Sequence, residues 1–370
     1  MAPIRIGFIG LSASGGWAVP THWAYLSQSS KYQIVALCNS SVEAAKKAIE
    51  HYKLPATTKA YASPSDLAQD PNVDLVVCCV RVDRHYDSIK PALLAGKPVF
   101  TEWPLTISLS QAEELASLAK EKGVKTAIGF QGRQDLLVRK IKEIIASGKI
   151  GRVLSSTMTG QITYYGGTET EQTAYLADIK YGGLLVTVMT GHCIDWIQYT
   201  LGELTTFTAL LANQRPTFNL VSADGSILST HPKTSHDQVI LTGTLSSGAV
   251  LSYHLRGGGP FPGTPAHEWR IYGEKGEIRV TAGSFFLHME PSDRKMEVWV
   301  SGAEKPDVVD VEGDGWTKLP NVARNVAREY EAFADGGGHL ADFEEAVRRQ
   351  KLTELIYQSS ETGMRVKYTE

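Results

Sequence analysis

The sequence is sparing in the residues that mark several classes of function. Its four cysteines, at positions 38, 78, 79 and 193, form no Cys-x-x-Cys spacing. Cys38, Cys78 and Cys79 sit in apolar runs, so reduced core thiols are expected, and no metal site or redox pair. No window reaches the roughly 18 consecutive apolar residues of a membrane span. Met1-Ala2-Pro3 leads straight into an apolar segment, without the basic region, apolar core and cleavage site of an export signal. A cytoplasmic location is expected. Basic residues do not outnumber acidic ones, and the formal net charge of -3 excludes binding to a phosphate backbone by charge alone. Neither nucleic acid nor a membrane is expected as a partner; a small molecule is.

What is present describes an ordinary globular chain. Hydrophobic residues make up 42% and charged residues 21% of 370 positions, a length that suits two domains. Residues 4–9 form an apolar run without polar alternation, as in a strand covered on both faces, and the run ends at Gly10. Residues 33–38, 73–80, 99–101 and 125–130 repeat the pattern, separated by segments with helical signals. Ser40-Ser41-Val42-Glu43 and Ser110-Gln111-Ala112-Glu113 read as capping boxes, Pro64 as a first-turn proline, and Gly96 and Gly123 as helix stops. Alternating strands and helices predict a doubly wound parallel sheet of Rossmann type over residues 1–129, with its ligand crevice at the carboxyl ends of the strands.

The first strand runs into Gly10-Leu11-Ser12-Ala13-Ser14-Gly15-Gly16-Trp17, which does not spell Gly-x-Gly-x-x-Gly. Its place between a strand and a helix-like stretch, with small residues that let backbone N–H groups approach a pyrophosphate, predicts a dinucleotide loop. After the second strand comes Cys38-Asn39-Ser40-Ser41, where a sheet that prefers NAD usually presents Asp or Glu. Without that carboxylate a 2′-phosphate meets no repulsion and finds hydroxyl donors, so NADP is favoured and NAD remains possible. Ser40 admits two readings, cofactor ligand or helix cap.

Ala95-Gly96-Lys97-Pro98-Val99-Phe100-Thr101-Glu102-Trp103-Pro104 closely resembles the Ala-Gly-Lys-x-Val-x-x-Glu-Lys-Pro signature of the glucose-fructose oxidoreductase / inositol dehydrogenase (Gfo/Idh/MocA) family. The resemblance implies a proton-donating, substrate-anchoring Lys where this chain has Trp103. An indole has one N–H donor and no charge, and shuttles no proton near neutral pH. Further motifs match in order: Phe130-Gln131-Gly132-Arg133 with the amphipathic stripe Leu137, Ile141 and Ile144, then the strand and hairpin patterns of residues 237–249 and 269–278, and a helical period over 344–364. They imply an α+β second domain over residues 130–370 with a largely antiparallel open sheet, a C-terminal helix packed on the body, and a homodimer formed through the sheet. For the cofactor the resemblance implies Gly10, Ser12, Ala13, Gly16, Trp17, Asn39, Ser40, Arg81, His85, Glu102 and Gln131. Arg81 and His85 also fit a solvated charged loop.

The second constellation lies in residues 181–195. The family carries Asp one helical turn before a His, an acid/base pair beside the Lys; here Val188 holds that place and His192 remains, with Asp195 three residues on. Asp195 is equally a solvated or capping charge. Lys180, before Tyr181-Gly182-Gly183, and Tyr165, in a glycine-flanked loop, are further candidates, each also readable as a surface charge or sheet-edge packing. Gly16-Trp17-Ala18, Thr21-His22, Glu102-Trp103, Gly191-His192-Cys193-Ile194-Asp195 and Pro232-Lys233-Thr234 are similar to the branch of fungal galactose-regulon repressors. Two functions follow from the resemblance. One is an NADP-dependent oxidoreductase acting on a small carbonyl, sugar-like or imine substrate, in which His192 moves the proton and Trp103 shapes the pocket. The other is a catalytically inactive NADP-binding regulator of a protein partner.

Overall fold

The computed structural model describes residues 2–181, 183–337 and 339–368. Gly182, in the segment before His192, lies outside them. The chain divides into two units, the first Met1–Gln134 with Asp314–Gln350 and the second Asp135–Gly313 with Lys351–Glu370.

The first unit is a six-stranded parallel sheet of β1 (Ile4–Ile9), β2 (Tyr32–Cys38), β3 (Lys59–Tyr61), β4 (Leu75–Cys78), β5 (Val99–Glu102) and β6 (Thr126–Gly129), in the order β3-β2-β1-β4-β5-β6. Strands β4, β5 and β6 are buried along their whole lengths, the burial that unbroken apolar runs foretell. The three-residue edge strand β3 is absent from the sequence reading, because Lys59-Ala60-Tyr61 has no apolar run to mark it. Between the strands lie α1 (Ala24–Leu26), α2 (Val42–His51), α3 (Pro64–Ala68), α4 (His85–Leu94) and α5 (Leu109–Lys122). Ser63 caps α3 ahead of Pro64, and Gly123 closes α5 in the left-handed region. The two capping boxes shift: Ser41 accepts from the Ala44 amide and Ser108 from the Gln111 amide, so neither Ser40 nor Ser110 is the cap.

The second unit is built on a nine-stranded sheet, packed against α6 (Leu136–Ala146), which Asp135 caps, and α7 (Gly191–Leu201). Its strands are β7 (Val153–Ile162), β9 (Leu204–Ala212), β12 (Gln238–Leu245), β13 (Val250–Gly257), β14 (His267–Gly273), β15 (Gly276–Ala282), β16 (Lys295–Val300), β17 (Asp307–Val308) and β18 (Val366–Lys367). Every neighbouring pair is antiparallel except β7 with β13. Strands β8 (Thr168–Glu169), β10 (Thr217–Val221) and β11 (Ile227–Pro232) make a separate small sheet. Leu137, Ile141 and Ile144 on α6 and Ile194 and Trp196 on α7 pack on alternate strand residues such as Val239, Leu241 and Tyr253. The other face carries cross-strand ion pairs, Arg270 with Glu277 and Arg279 with Glu268.

One expected boundary changes. Residues 314–350, which the sequence reading places in the second domain, join the first unit. Helix α8 (Asn321–Asp335) has an apolar face of Ala323, Val326, Ala327, Tyr330 and Phe333 that shares the core of Phe8, Tyr25, Tyr32 and Phe100. Tyr330 stacks on Tyr25 with ring centroids 5.3 Å apart, and its carbonyl accepts from the Tyr32 hydroxyl. The division falls within α9 (Phe343–Thr362), after Gln350. Among the described residues no helix is long and apolar enough to cross a membrane.

Candidate functional site

In the first unit the residues singled out by sequence gather at the carboxyl ends of adjacent parallel strands. Gly10 follows β1, Asn39 follows β2, Arg81 follows β4, Glu102 ends β5 and Gln131 follows β6. This edge, at the reversal of strand order between β1 and β4, is where an open α/β sheet takes its ligand.

Gly10 has a physical reason to be glycine. Its φ is +101°, and a Cβ would lie 2.3 Å from the Cys79 carbonyl oxygen, while its amide donates to Cys38. The loop beyond it is internally tied. The Ser12 and Ser14 hydroxyls are 2.8 Å apart, the Ser12 carbonyl accepts from Tyr52, and the Leu11 carbonyl accepts from the Asn39 amide group. Asn39 therefore braces the loop. Gly15 and Gly16 have φ of +98° and +111°, and a Cβ on either would meet nothing within 4 Å. Ala13 is partly buried and Trp17 is exposed. Ser40 is exposed and not spent on the cap of α2, which leaves its hydroxyl to a ligand. An open backbone cradle and the Ser40 hydroxyl after β2 fit the pyrophosphate and ribose of a dinucleotide.

Glu102 is buried and fully engaged. Oε1 lies 2.7 Å from His22 Nε2, and Oε2 accepts from Gln131 Nε2 at 2.9 Å. His22 Nδ1 lies 2.8 Å from the Tyr330 hydroxyl. Burial raises the Tyr330 hydroxyl well above its ordinary pKa, so the phenol stays protonated. The imidazole thus bridges the Glu102 carboxylate and the Tyr330 hydroxyl. Sequence reasoning noted His22 only as a motif match and missed Tyr330. Positions 22, 102, 131 and 330 have no spacing that could signal their convergence. Trp103 is 4% exposed, its ring 4.7 Å from that of Phe130. It belongs to the apolar core of this unit and has no open face to match the pocket-shaping role expected of it.

His85 is also a strut. Its ring nitrogens lie 2.9 Å from the Pro104 carbonyl oxygen and 3.0 Å from that of Val80, tying the end of β4 to the turn after β5. Burial lowers its pKa, against the raising effect of the two carbonyls. Arg81 is exposed and clamps Asp83 through two hydrogen bonds of 2.6 and 2.7 Å, the solvated-loop reading.

In the second unit residues 185–190 form a π-helical segment that passes into α7 at Gly191. Val188 and His192 therefore flank a change of helix type, and such insertions recur at functional sites. His192 is 8% exposed and Asp195 1%. The His192 ring is parallel to that of His288, with centroids 4.8 Å apart and planes at 13°. Trp196 touches His288 and His267, at 5.4 and 6.3 Å. Burial lowers the pKa of His267 to about 4, and that of His288 well below its ordinary value. His267 and His288 are therefore neutral in the folded protein. His267 and His288 were not foreseen either; a lone His in an apolar stretch carries no such signal.

Two other candidates stand apart. Lys180 is exposed and paired with Asp178 at 2.7 Å, the surface-charge reading. Tyr165 has φ of +61° and is 1% exposed. Its hydroxyl has no hydrogen-bond partner among the described residues, and burial raises its pKa well above 10, which unsuits it to moving a proton near neutral pH. Among the described residues no group of His, Cys, Asp and Glu is placed to hold a metal ion.

The sequence and fold have known relatives. A family model for the oxidoreductases with an NAD-binding Rossmann fold, Gfo/Idh/MocA, matches residues 4–130. A model for the C-terminal domain of Gal80p matches residues 137–282. The galactose/lactose metabolism regulatory protein GAL80 of Saccharomyces cerevisiae is 35% identical over 300 residues, 78% of this chain and 69% of that protein. The dehydrogenase aclE of Aspergillus oryzae is 31% identical over 376 residues, 99% of this chain and 98% of that one. A super-repressor mutant of Saccharomyces cerevisiae Gal80p superposes with a TM-score of 0.90 at 28% identity, covering 100% of this chain and 99% of the other.

Proposed function

The chain belongs to the Gfo/Idh/MocA oxidoreductase family, in a branch with the Gal80 proteins, and we propose that it is an NADP-dependent oxidoreductase acting on a small, already polarised carbonyl, sugar-like or imine substrate. The observation that carries this reading is its end-to-end likeness to a dehydrogenase, with almost no residue of either chain left over. The sequence likeness to GAL80 spans 69% of that regulator, while the superposition covers 99% of the solved Gal80p chain, so the fold is shared with both and the end-to-end sequence match favours the dehydrogenase.

In this reading Ser12, Ala13, Gly16 and Trp17 present backbone to the pyrophosphate, Gly10 shapes the turn with its amide held by Cys38, and Asn39 and Ser40 face the 2′-phosphate. When bound, the nicotinamide supplies or accepts the hydride. Glu102, held by His22 and Gln131, fixes the turn that carries Trp103, and the apolar side chains there exclude water. His192 holds or releases the proton, with Asp195 in support. With Trp103 and Val188 in place of the usual Lys and Asp, little acid catalysis remains. A substrate that is already an iminium ion or conjugated carbonyl needs least of it. A second copy would cover the outer face of the nine-stranded sheet, where Leu210 and Tyr272 stand exposed, and the four buried thiols suit a cytoplasmic setting.

A second reading, an NADP-binding regulator without turnover, draws on the Gal80p-like C-terminal domain. The experiment that separates them is an NADPH-consumption screen over sugars, sugar acids, ketones and cyclic imines, run beside a cofactor titration. Turnover on one class is expected. Tight NADP binding with no turnover on any, together with a stoichiometric partner whose capture responds to NADP, would transfer the assignment to the regulator.

A further inference from the structure

The proposed role of His192 leaves unexplained why a proton-handling residue should be stacked on a second histidine. His288 arrives from a distant 3₁₀ turn, Leu287–Met289, and the turn is closed by Glu290 in the left-handed region at φ +49°. A non-glycine residue there costs free energy, and such costs collect at functional positions. The ring is clamped on its other sides by Trp196 and by Phe286, whose ring meets it edge-on at 6.1 Å. We infer that His288 is a positioning residue, a neutral aromatic plate that fixes the plane of the His192 ring and supports the proton His192 carries. The inference rests on the oxidoreductase reading for its consequence in turnover, and on geometry alone for its effect on His192.

The physical case has two parts. A parallel stack at 13° leaves the His192 ring one plane in which to aim its nitrogens, and aim governs rate: small misplacements cost about 10²-fold. A neutral π face also attracts a cation laid over it, provided the plate itself stays uncharged. Burial first, and then the neighbouring His192 and His267, keep it so. The titratable group shown acting on the pair is His267 on β14; along the chain, Cys193 and Asp195 neighbour His192 on α7, with Cys193 facing Tyr253 on β13, and Glu290, two residues after His288, pairs with Arg294, which also binds Asp135 at 2.6 Å.

The test compares His288→Leu with His288→Phe in the full-length protein, using histidine ring NMR across pH, cofactor affinity and turnover. His288→Leu removes the plate; the His192 titration midpoint is expected to fall by roughly half to one pH unit, and turnover by about 10²-fold with cofactor affinity unchanged. His288→Phe retains an aromatic plate without a titrating group and is expected to restore the His192 midpoint and most of the lost turnover. A His192 titration indifferent to Leu, or a Phe variant as impaired as Leu in a folded protein, would overturn the inference. Were the wild-type protein to turn over nothing, the oxidoreductase reading would fall while the titration still decided the stack.

Discussion

The two units hold their candidate residues by opposite means. In the first, Glu102, His22, Gln131 and Tyr330 form a buried hydrogen-bonded network around a carboxylate. In the second, His192, His288, His267 and Trp196 form an aromatic cluster in which His267 and His288 are held neutral by burial. A carboxylate network of this kind is fixed by directional bonds and fails when one member is removed. A stacked cluster is fixed by packing, and weakens when the buried rings that flank His192 become charged. The contrast suits a division of labour in which one unit must hold still and the other must tolerate a proton.

The largest effect should come from breaking the first network. Glu102→Leu strands His22 Nε2 and the Gln131 amide in the interior, and calorimetry should register a loss of about 3–5 kcal/mol. Glu102→Gln, which keeps the shape and one of the two acceptors, should lose less; equal losses would mean the network is incidental. Next is Gly10→Ala, where the added Cβ meets the Cys79 carbonyl in a backbone region hostile to side chains. It is expected to cost about 2–3 kcal/mol and to abolish cofactor binding in a fluorescence titration, leaving the second unit's cluster intact by NMR.

Opposite behaviour is expected of the second cluster on acidification. The His267 pKa is lowered by burial to about 4 from an ordinary value of 6.5, so the folded state favours the neutral ring. The stability this contributes is fully present above pH 6.5 and drains away as pH falls toward 4. Between pH 6.5 and 5 the loss from this residue is about 2 kcal/mol, and denaturant titrations at the two pH values should register it. His267→Leu should flatten that slope, and an unchanged slope would place the acid sensitivity elsewhere. Smallest is Ser40→Asp, which restores a carboxylate after β2. NADP affinity should fall about tenfold or more while NAD is spared; equal weakening of both would remove Ser40 from the 2′-phosphate.

How much of this was legible in sequence follows the same contrast. Parallel strands with unbroken apolar runs, the glycine after β1 and the Glu-Trp-Pro turn after β5 are local signals, and the structure places them along one sheet edge. The attachment of α8 to the first unit was not legible, because its amphipathic face does not say which core receives it. Nor was Ser41 as the cap in place of Ser40, a choice settled by one residue of backbone geometry. Lys180 and Arg81 drew notice by charge, yet each is satisfied by an acid two residues away. His267, His288 and Tyr330 contribute only through long-range convergence, which no spacing encodes.

The proposed turnover requires that His192 move a proton during hydride transfer. With the substrate class found in the screen, the most direct measurement is the stopped-flow rate of NADPH oxidation in the wild type and in His192→Asn, with cofactor affinity measured alongside. A fall of about 10²–10⁴-fold with unchanged NADP binding is predicted. A His192→Asn rate equal to the wild type's would contradict it.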